Sequence, residues 1–247
     1  FIYLGTANNS NDFVIFATDT TSWLTPASIG TANKSGTHDV NAIYVDGNYT
    51  YLVTENAAGD DELFIYDTTT PSTPSYLGAF EVGDDVNDIV VSGNYAYLAT
   101  DNNSRELDII DVTTKTSPSR SSGYNAPGND DGNSVEISGT TVYLGREKSN
   151  KDELFVIDVS SPGSPSLSGS MDTDGDLTDL VIDGTDLYAA TTGNSKELNV
   201  FDVTTPASPS ELGSYDLSGN TDAISVAMSG DVLVIGRKGA GSTSELA

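Results

Sequence analysis

Between residues 172 and 179 the chain reads DTDGDLTD, with carboxylates at Asp172, Asp174, Asp176 and Asp179. A hard cation such as Ca2+ needs several oxygens converging from a short turn, and alternate positions supply them. The chemistry such residues could do is calcium binding with these four aspartates as ligands, while the favoured reading is an ordinary acidic turn and no cofactor is expected with certainty. The segment departs from an EF-hand loop. Leu177 stands where the sixth-position Gly belongs, Asp183 replaces the twelfth-position Glu, and no helical pattern flanks it. The related stretches 82–88 (VGDDVND) and 128–134 (GNDDGNS) are also acidic.

A second set is formed by Asp12, Glu62, Glu106, Glu153, Glu197 and Glu245, each just ahead of an apolar run. As an array these acids suit cations. Taken singly, they are charges at strand ends that pair with neighbours such as Arg105 and Lys196. Asp88 and Asp179 lie inside apolar stretches whose cognates carry Ala42, Ser134 and Ser225. There a carboxylate is expected to accept backbone hydrogen bonds, with ligand binding as the sharper alternative. Nucleophilic sets are missing. There is no Cys, His38 is the only His, and no Gly-x-Ser-x-Gly or phosphate-cradling loop occurs. The expectation is a protein that is not an enzyme and has no catalytic residues; a glycoside hydrolase working through paired channel carboxylates is the least favoured alternative.

The elements that position these residues come from self-comparison. YLGT at 3, YLVT at 51, YLAT at 97, YLGR at 143, YAAT at 188 and VIGR at 234 follow one another at 48, 46, 46, 45 and 46 residues. Within a period, four short stretches rich in Val, Ile, Tyr and Leu are bounded by Gly, Asn, Asp, Ser or Pro and read as strands. In one unit they are 86–93, 95–100, 106–112 and a weak stretch around Arg120 to Tyr124. Turns such as SGN, DGN and SGT join the first pair as hairpins. The fold class is all-β: a β-propeller of four-stranded antiparallel blades with a repeat of about 46 residues. Six blades are favoured, with five and seven as alternatives. The Gly-His and Trp-Asp pairs of WD propellers are missing, since Trp23 is the only Trp.

Antiparallel order sends the second-to-third and blade-to-blade connections to one end of the blades, and the hairpins and Pro-rich turns to the other. The first end collects charge of both signs: Asp60, Asp61, Glu62, Arg105, Glu106, Arg146, Lys148, Lys151, Asp152, Glu153, Lys196 and Glu197, with Lys34 among the other cations. Loops that vary in length and charge on one rim are expected to form a recognition surface.

The recurring phrases VSGNYAYLA (91–99), ELFVIDVSSPGSPSLSGS (153–170) and DVTTPASPSELGSYDLSG (202–219) resemble the LVIVD-repeat family along the whole chain. Lys115 replaces a first Pro, and residues 17–26 carry a short extension. The resemblance implies β-propeller repeats of bacterial or archaeal surface or secreted proteins, without shared catalytic residues. The expected function is therefore extracellular binding or adhesion to a protein or glycan through the charged rim. The alternative is a structural subunit of a filament, pilus or surface layer, self-assembling and calcium-assisted.

Thirty-seven acidic residues against 10 basic ones give a formal net charge of -27, so nucleic acid is not expected as a partner. No apolar run of membrane-spanning length occurs, so this segment is not expected to insert into a bilayer. Residues 1–247 are expected to form one propeller domain. Phe1 aligns with Tyr49, and SELA (244–247) aligns with the start of DELFIYD, so both ends fall within a blade and suggest part of a longer chain.

Overall fold

The computed structural model describes residues 1–8, 11–18, 27–33, 39–57, 59–193, 195–217 and 221–238. Trp23, Lys34, His38 and Glu245 lie outside the described residues. The described residues form six antiparallel sheets and no helix. The first sheet is β1 (Ile2–Asn8), β2 (Asn11–Phe16) and β3 (Ser28–Ala32); the second is β4 (Val40–Asp46), β5 (Tyr49–Thr54), β6 (Leu63–Asp67) and β7 (Ser75–Phe80). The third is β8 (Val86–Ser92), β9 (Tyr95–Thr100), β10 (Leu107–Asp111) and β11 (Ser119–Tyr124), and the fourth is β12 (Gly132–Ser138), β13 (Thr141–Arg146), β14 (Leu154–Asp158) and β15 (Ser166–Met171). The fifth is β16 (Leu177–Asp183), β17 (Asp186–Thr191), β18 (Leu198–Asp202) and β19 (Ser210–Tyr215), and the sixth is β20 (Ala223–Ser229) with β21 (Val232–Arg237). These are the blades of a β-propeller, four of them with the full four strands.

Local chemistry sets each blade. The turn after every innermost strand is closed by a left-handed glycine, at Gly47, Gly93, Gly139, Gly184 and Gly230 (φ 56 to 62°). At the end of the third strand, Asp67, Asp111, Asp158 and Asp202 each accept the backbone N–H two residues on, all at 2.8 Å. Hydrogen bonds from the hydroxyl and the backbone N–H of Thr69, Thr113 and Thr204, and from the N–H and hydroxyl of Ser160, hold the four carboxyls below the usual carboxylate range. Asp therefore closes the turn that follows each of these third strands.

The chain divides into two compact units, residues 1–98 with 110–121 and residues 99–109 with 122–247. In each, the core lies between successive sheets. In the first unit, Tyr51, Val53, Leu63 and Ile65 of the second sheet meet Val86, Ile89, Val91, Leu98 and Ile110 of the third. In the second unit, Tyr143, Leu154 and Val156 of the fourth sheet meet Leu177, Leu180, Leu187 and Phe201 of the fifth. Middle strands are covered on both faces, which explains runs such as LFIY rather than strict alternation.

Two features join blade to blade. The fourth strand carries a glycine against the next Pro-rich turn: a Cβ on Gly78 would fall 2.6 Å from the Lys115 carbonyl oxygen, and one on Gly169 would fall 2.5 Å from that of Pro206. Lys115, the departure from Pro, donates to the Val112 carbonyl at 2.8 Å and sits over the Tyr49 and Tyr51 rings at 5.2 and 5.6 Å. Innermost strands also carry a bulge, at Val40/Ala42, Gly132/Ser134, Leu177/Asp179 and Ala223/Ser225. The bulged residue reaches the next blade: Asn41 Nδ2 donates to the Val86 carbonyl at 3.0 Å, and Thr178 Oγ1 lies 2.9 Å from that of Ala223.

Candidate functional site

The acids ahead of the third strands are not solvated charges. Glu62, Glu106, Glu153 and Glu197 are at most 1% exposed. Each accepts the backbone N–H of the residue 20 positions later: Val82 at 2.7 Å, and Ala126, Thr173 and Leu217 at 2.8 Å. Those residues begin the blade-to-blade connection, where the chain leaves the fourth strand and its N–H groups lose their ladder partners. The carboxylate supplies the acceptor and pins the loop. Burial pushes the Glu62 and Glu106 carboxyls up. The assignment of Glu62, Glu106, Glu153 and Glu197 to an accessible rim is therefore corrected: they lie beneath the loops. Asp12 is half-buried.

Arg146 is corrected in the same way. It is fully buried, its guanidinium donating to the carbonyls of Asp130 (3.0 and 2.8 Å) and Pro127 (3.1 Å) and stacking 5.2 Å from the Phe155 ring. It holds the 127–131 loop from below. Arg105, half-buried, pairs with Asp108 at 3.5 Å. Lys196 pairs with Glu211 at 2.9 Å. Asp152 accepts from the Ser170 hydroxyl, and Lys151 is exposed. In the first unit Asp60 and Asp61 are half-buried.

The DTDGDLTD loop is organised around an ammonium group. Lys148 Nζ lies 3.5 Å from Asp172, 4.0 Å from Asp174 and 3.9 Å from Glu153. Asp176 accepts the Lys148 backbone N–H at 2.8 Å, and Asp174 takes a left-handed conformation (φ 66°). Asp179 turns away into β16, accepting the N–H groups of Leu180 and, in the next blade, Val226, both at 2.8 Å. Burial raises its carboxyl to about 6. The four aspartates thus do not converge, and the calcium reading is corrected. Lys148 occupies the position the cation was to hold, and among the described residues no group of three or more His, Cys, Asp or Glu is arranged to hold a metal.

What the second unit does gather is acid on three adjoining loops, 127–131, 147–153 and 172–176. The Glu147 N–H donates to the Asp131 carbonyl at 3.0 Å, tying the first two loops together. The Asp131 carboxyl is raised by burial and then by Glu147 and Asp130; the Glu147 carboxyl is raised by burial and then by Asp176, Asp101 and Asp130. Glu106, Glu153 and Arg146 hold the loop backbones from below, and with its carboxyls raised by burial and by neighbouring acids the cluster favours a proton or an incoming cationic group. Sequence reasoning placed the charges on this end, Asp131 among them in the acidic stretch 128–134, but did not single out Glu147. The constant offset of 20 residues from each buried Glu to its backbone donor separates supporting acids from presented ones once the hydrogen bonds are seen.

The LVIVD repeat family model matches residues 38–82, 83–126, 131–173 and 174–217, more than half of the chain. No curated protein sequence matches. Among solved structures, a protein from Lactobacillus plantarum is similar at TM-score 0.77 and 14% identity, over 96% of this chain and 74% of that one. A Bacteroides uniformis protein described as a candidate 6-phosphogluconolactonase is similar at TM-score 0.79 and 12% identity, over 96% and 74%. The periplasmic gluconolactonase of Pseudomonas aeruginosa is similar at TM-score 0.64 and 14% identity, over 83% of this chain and 63% of that one. At such identities the likeness establishes the propeller fold alone, and this chain spans only part of each neighbour. It does overturn the expectation that the chain is not an enzyme, because proteins named as lactonases are built on the same fold. The repeat boundaries, the recurrent Asp turn and the blade architecture agree, and the chain belongs to the LVIVD-repeat family.

Proposed function

We propose that the chain is a recognition module, in a secreted or cell-surface setting, that engages a basic protein surface through the acidic loops 127–131, 147–153 and 172–176. The observation that carries this reading is the clamped pair Asp131 and Glu147, whose backbones are joined and whose carboxyls are raised by burial and by the acids around them. A Lys or Arg of a partner relieves that repulsion and gains a fixed surface at small entropic cost. The net charge of -27 adds long-range steering of a basic partner at low salt. The test is capture of basic peptide by the wild type and by a variant carrying Asp131→Asn and Glu147→Gln. Weaker capture with an unchanged melting temperature supports the reading.

A second reading is lactone hydrolysis, favoured by the names of the neighbours that share the fold. In that case Asp131 and Glu147, carboxyls raised by burial and by neighbouring acids, are the groups suited to general acid–base work. Turnover of gluconolactone that disappears in the same double variant would establish it.

A further inference from the structure

Side chains alternate along a strand, so the second sheet serves two neighbours. Leu52, Phe64 and Tyr66 pack on Phe13 and Ile15 of the first sheet, while Tyr44, Tyr49 and Tyr51 pack on the third. On the first of these faces the cross-strand pairs are Thr50–Tyr66 and Leu52–Phe64, all four at most 6% exposed. Both kinds of face recur elsewhere in the chain without cover. In the first sheet Ile2 lies opposite Phe16 and Leu4 opposite Val14, at the positions of Thr50–Tyr66 and Leu52–Phe64. Val14 and Phe16 are only half-buried. In the sixth sheet Leu233 and Ile235 pack toward Ala190 and Leu217, whereas Val232 and Val234, at the positions of Tyr49 and Tyr51, point the other way. Beside them is Ile224, the bulged residue between Ala223 and Ser225, cognate with Asn41 and Thr178, which reach the following blade. Ile2, Leu4, Ile224, Val232 and Val234 are 42 to 61% exposed.

We infer that the sixth-sheet face of one copy of this chain, Ile224, Val232 and Val234, stacks on the first-sheet face of a second copy, Ile2, Leu4, Val14 and Phe16. The occupant follows from the interface the chain already builds. Between the second and third sheets, and again between the fourth and fifth, a face carrying Tyr51 or Tyr143 is covered by an aliphatic face of the following sheet. Each copy carries one uncovered face of either kind, so the contact continues the same stacking from one molecule to the next. It joins two different faces and is therefore heterologous, propagating head to tail. Apolar burial drives it, and the net charge of -27 opposes it, so association strengthens as salt screens the repulsion. Capture of a basic partner by the acidic loops has the opposite salt dependence and uses other residues, so the two contacts are separable.

Sedimentation velocity of the wild-type chain is expected to show association that grows with protein concentration and is stronger in about 500 mM than in about 20 mM NaCl. Val234→Asp should raise the association Kd about tenfold or more, the worth of one buried aliphatic side chain, without lowering the melting temperature. The chain has no Cys, so introduced thiols report this contact alone. Leu4→Cys and Val234→Cys proteins, one of them 15N-labelled, are mixed and treated with a bismaleimide of about 8 Å reach, suited to the roughly 10 Å between stacked sheets. The mixed cross-link should exceed either homodimer, and the Leu4→Cys/Val234→Cys chain should give a ladder of multimers. A strict monomer in the wild type, a predominance of homodimers from face-on-itself pairing, or a cross-link closed within one chain overturns the inference. If Val234→Asp melts early, the wild-type sedimentation and the cross-links decide.

Discussion

Glu153 shows how one side chain sets the geometry above it. Its Oε2 accepts the Thr173 N–H at 2.8 Å, and its Oε1 accepts the Ser149 N–H at 3.2 Å, so one buried carboxylate fixes two of the acidic loops. Glu153→Ala leaves those donors unpaired under the loops and should cost about 1–3 kcal/mol in denaturant unfolding. Glu106→Gln keeps an acceptor for the Ala126 N–H while removing a buried charge, so it should lose little stability at neutral pH, in contrast to Glu106→Ala. Asp179 gives the pH dependence a sign. Its folded carboxyl, raised to about 6, binds a proton more tightly than the unfolded one, so its stabilising contribution is complete below the unfolded value and is lost as pH rises to about 6. That loss amounts to about 3 kcal/mol at most. Asp179→Asn should therefore flatten the unfolding free energy between pH 4 and 6 relative to the wild type. A variant with the full wild-type slope would show that another group titrates there. At this scale the sequence was only partly legible. The backbone role of Asp179 and the turn role of Asp202 follow from their positions inside and at the end of apolar strands. The burial of Glu62, Glu106, Glu153 and Glu197 does not, because a Glu beside other charges reads as surface until the loop folded over it is known.

Hairpins and Pro-rich turns were readable at the scale of elements because each depends on local chemistry: a glycine with positive φ, an Asp that accepts from the turn, a Pro that ends pairing. What stayed hidden were the contacts between elements. The bulges in innermost strands appear only once Leu177 and Asp179 are seen opposite Thr191 and Ala190 on β17, because a bulge leaves no residue signature of its own there. The fourth-strand glycines Gly78 and Gly169 let the next blade's turn backbone approach. Gly169→Ala should be destabilising by about 1–3 kcal/mol, since its Cβ would overlap the Pro206 carbonyl. Gly213→Ala, at the cognate position of β19, would meet nothing within 4 Å and should be close to neutral. Equal effects in the two variants, measured by thermal melting, would show that the glycine matters for strand conformation rather than for the close approach.

For the whole molecule, the period of about 46 residues fixed the blades and the family before any geometry was known, because stacking repeats leave a register in the sequence. The same regularity hid the functional site. Loop acids are abundant in every repeat, and composition does not separate those that support from those that are presented. The proposed recognition rests on that separation: Glu106, Glu153 and Arg146 hold the loops, and Asp131 and Glu147 are the acids proposed to meet a basic partner. The most direct test is the affinity of a decalysine peptide at low salt for wild type and for Asp131→Asn/Glu147→Gln protein, with melting temperatures measured in parallel. The account predicts that affinity falls about three- to tenfold, the scale of two exposed ion pairs, while the melting temperature holds or rises. Unchanged affinity in a variant that remains folded would contradict it.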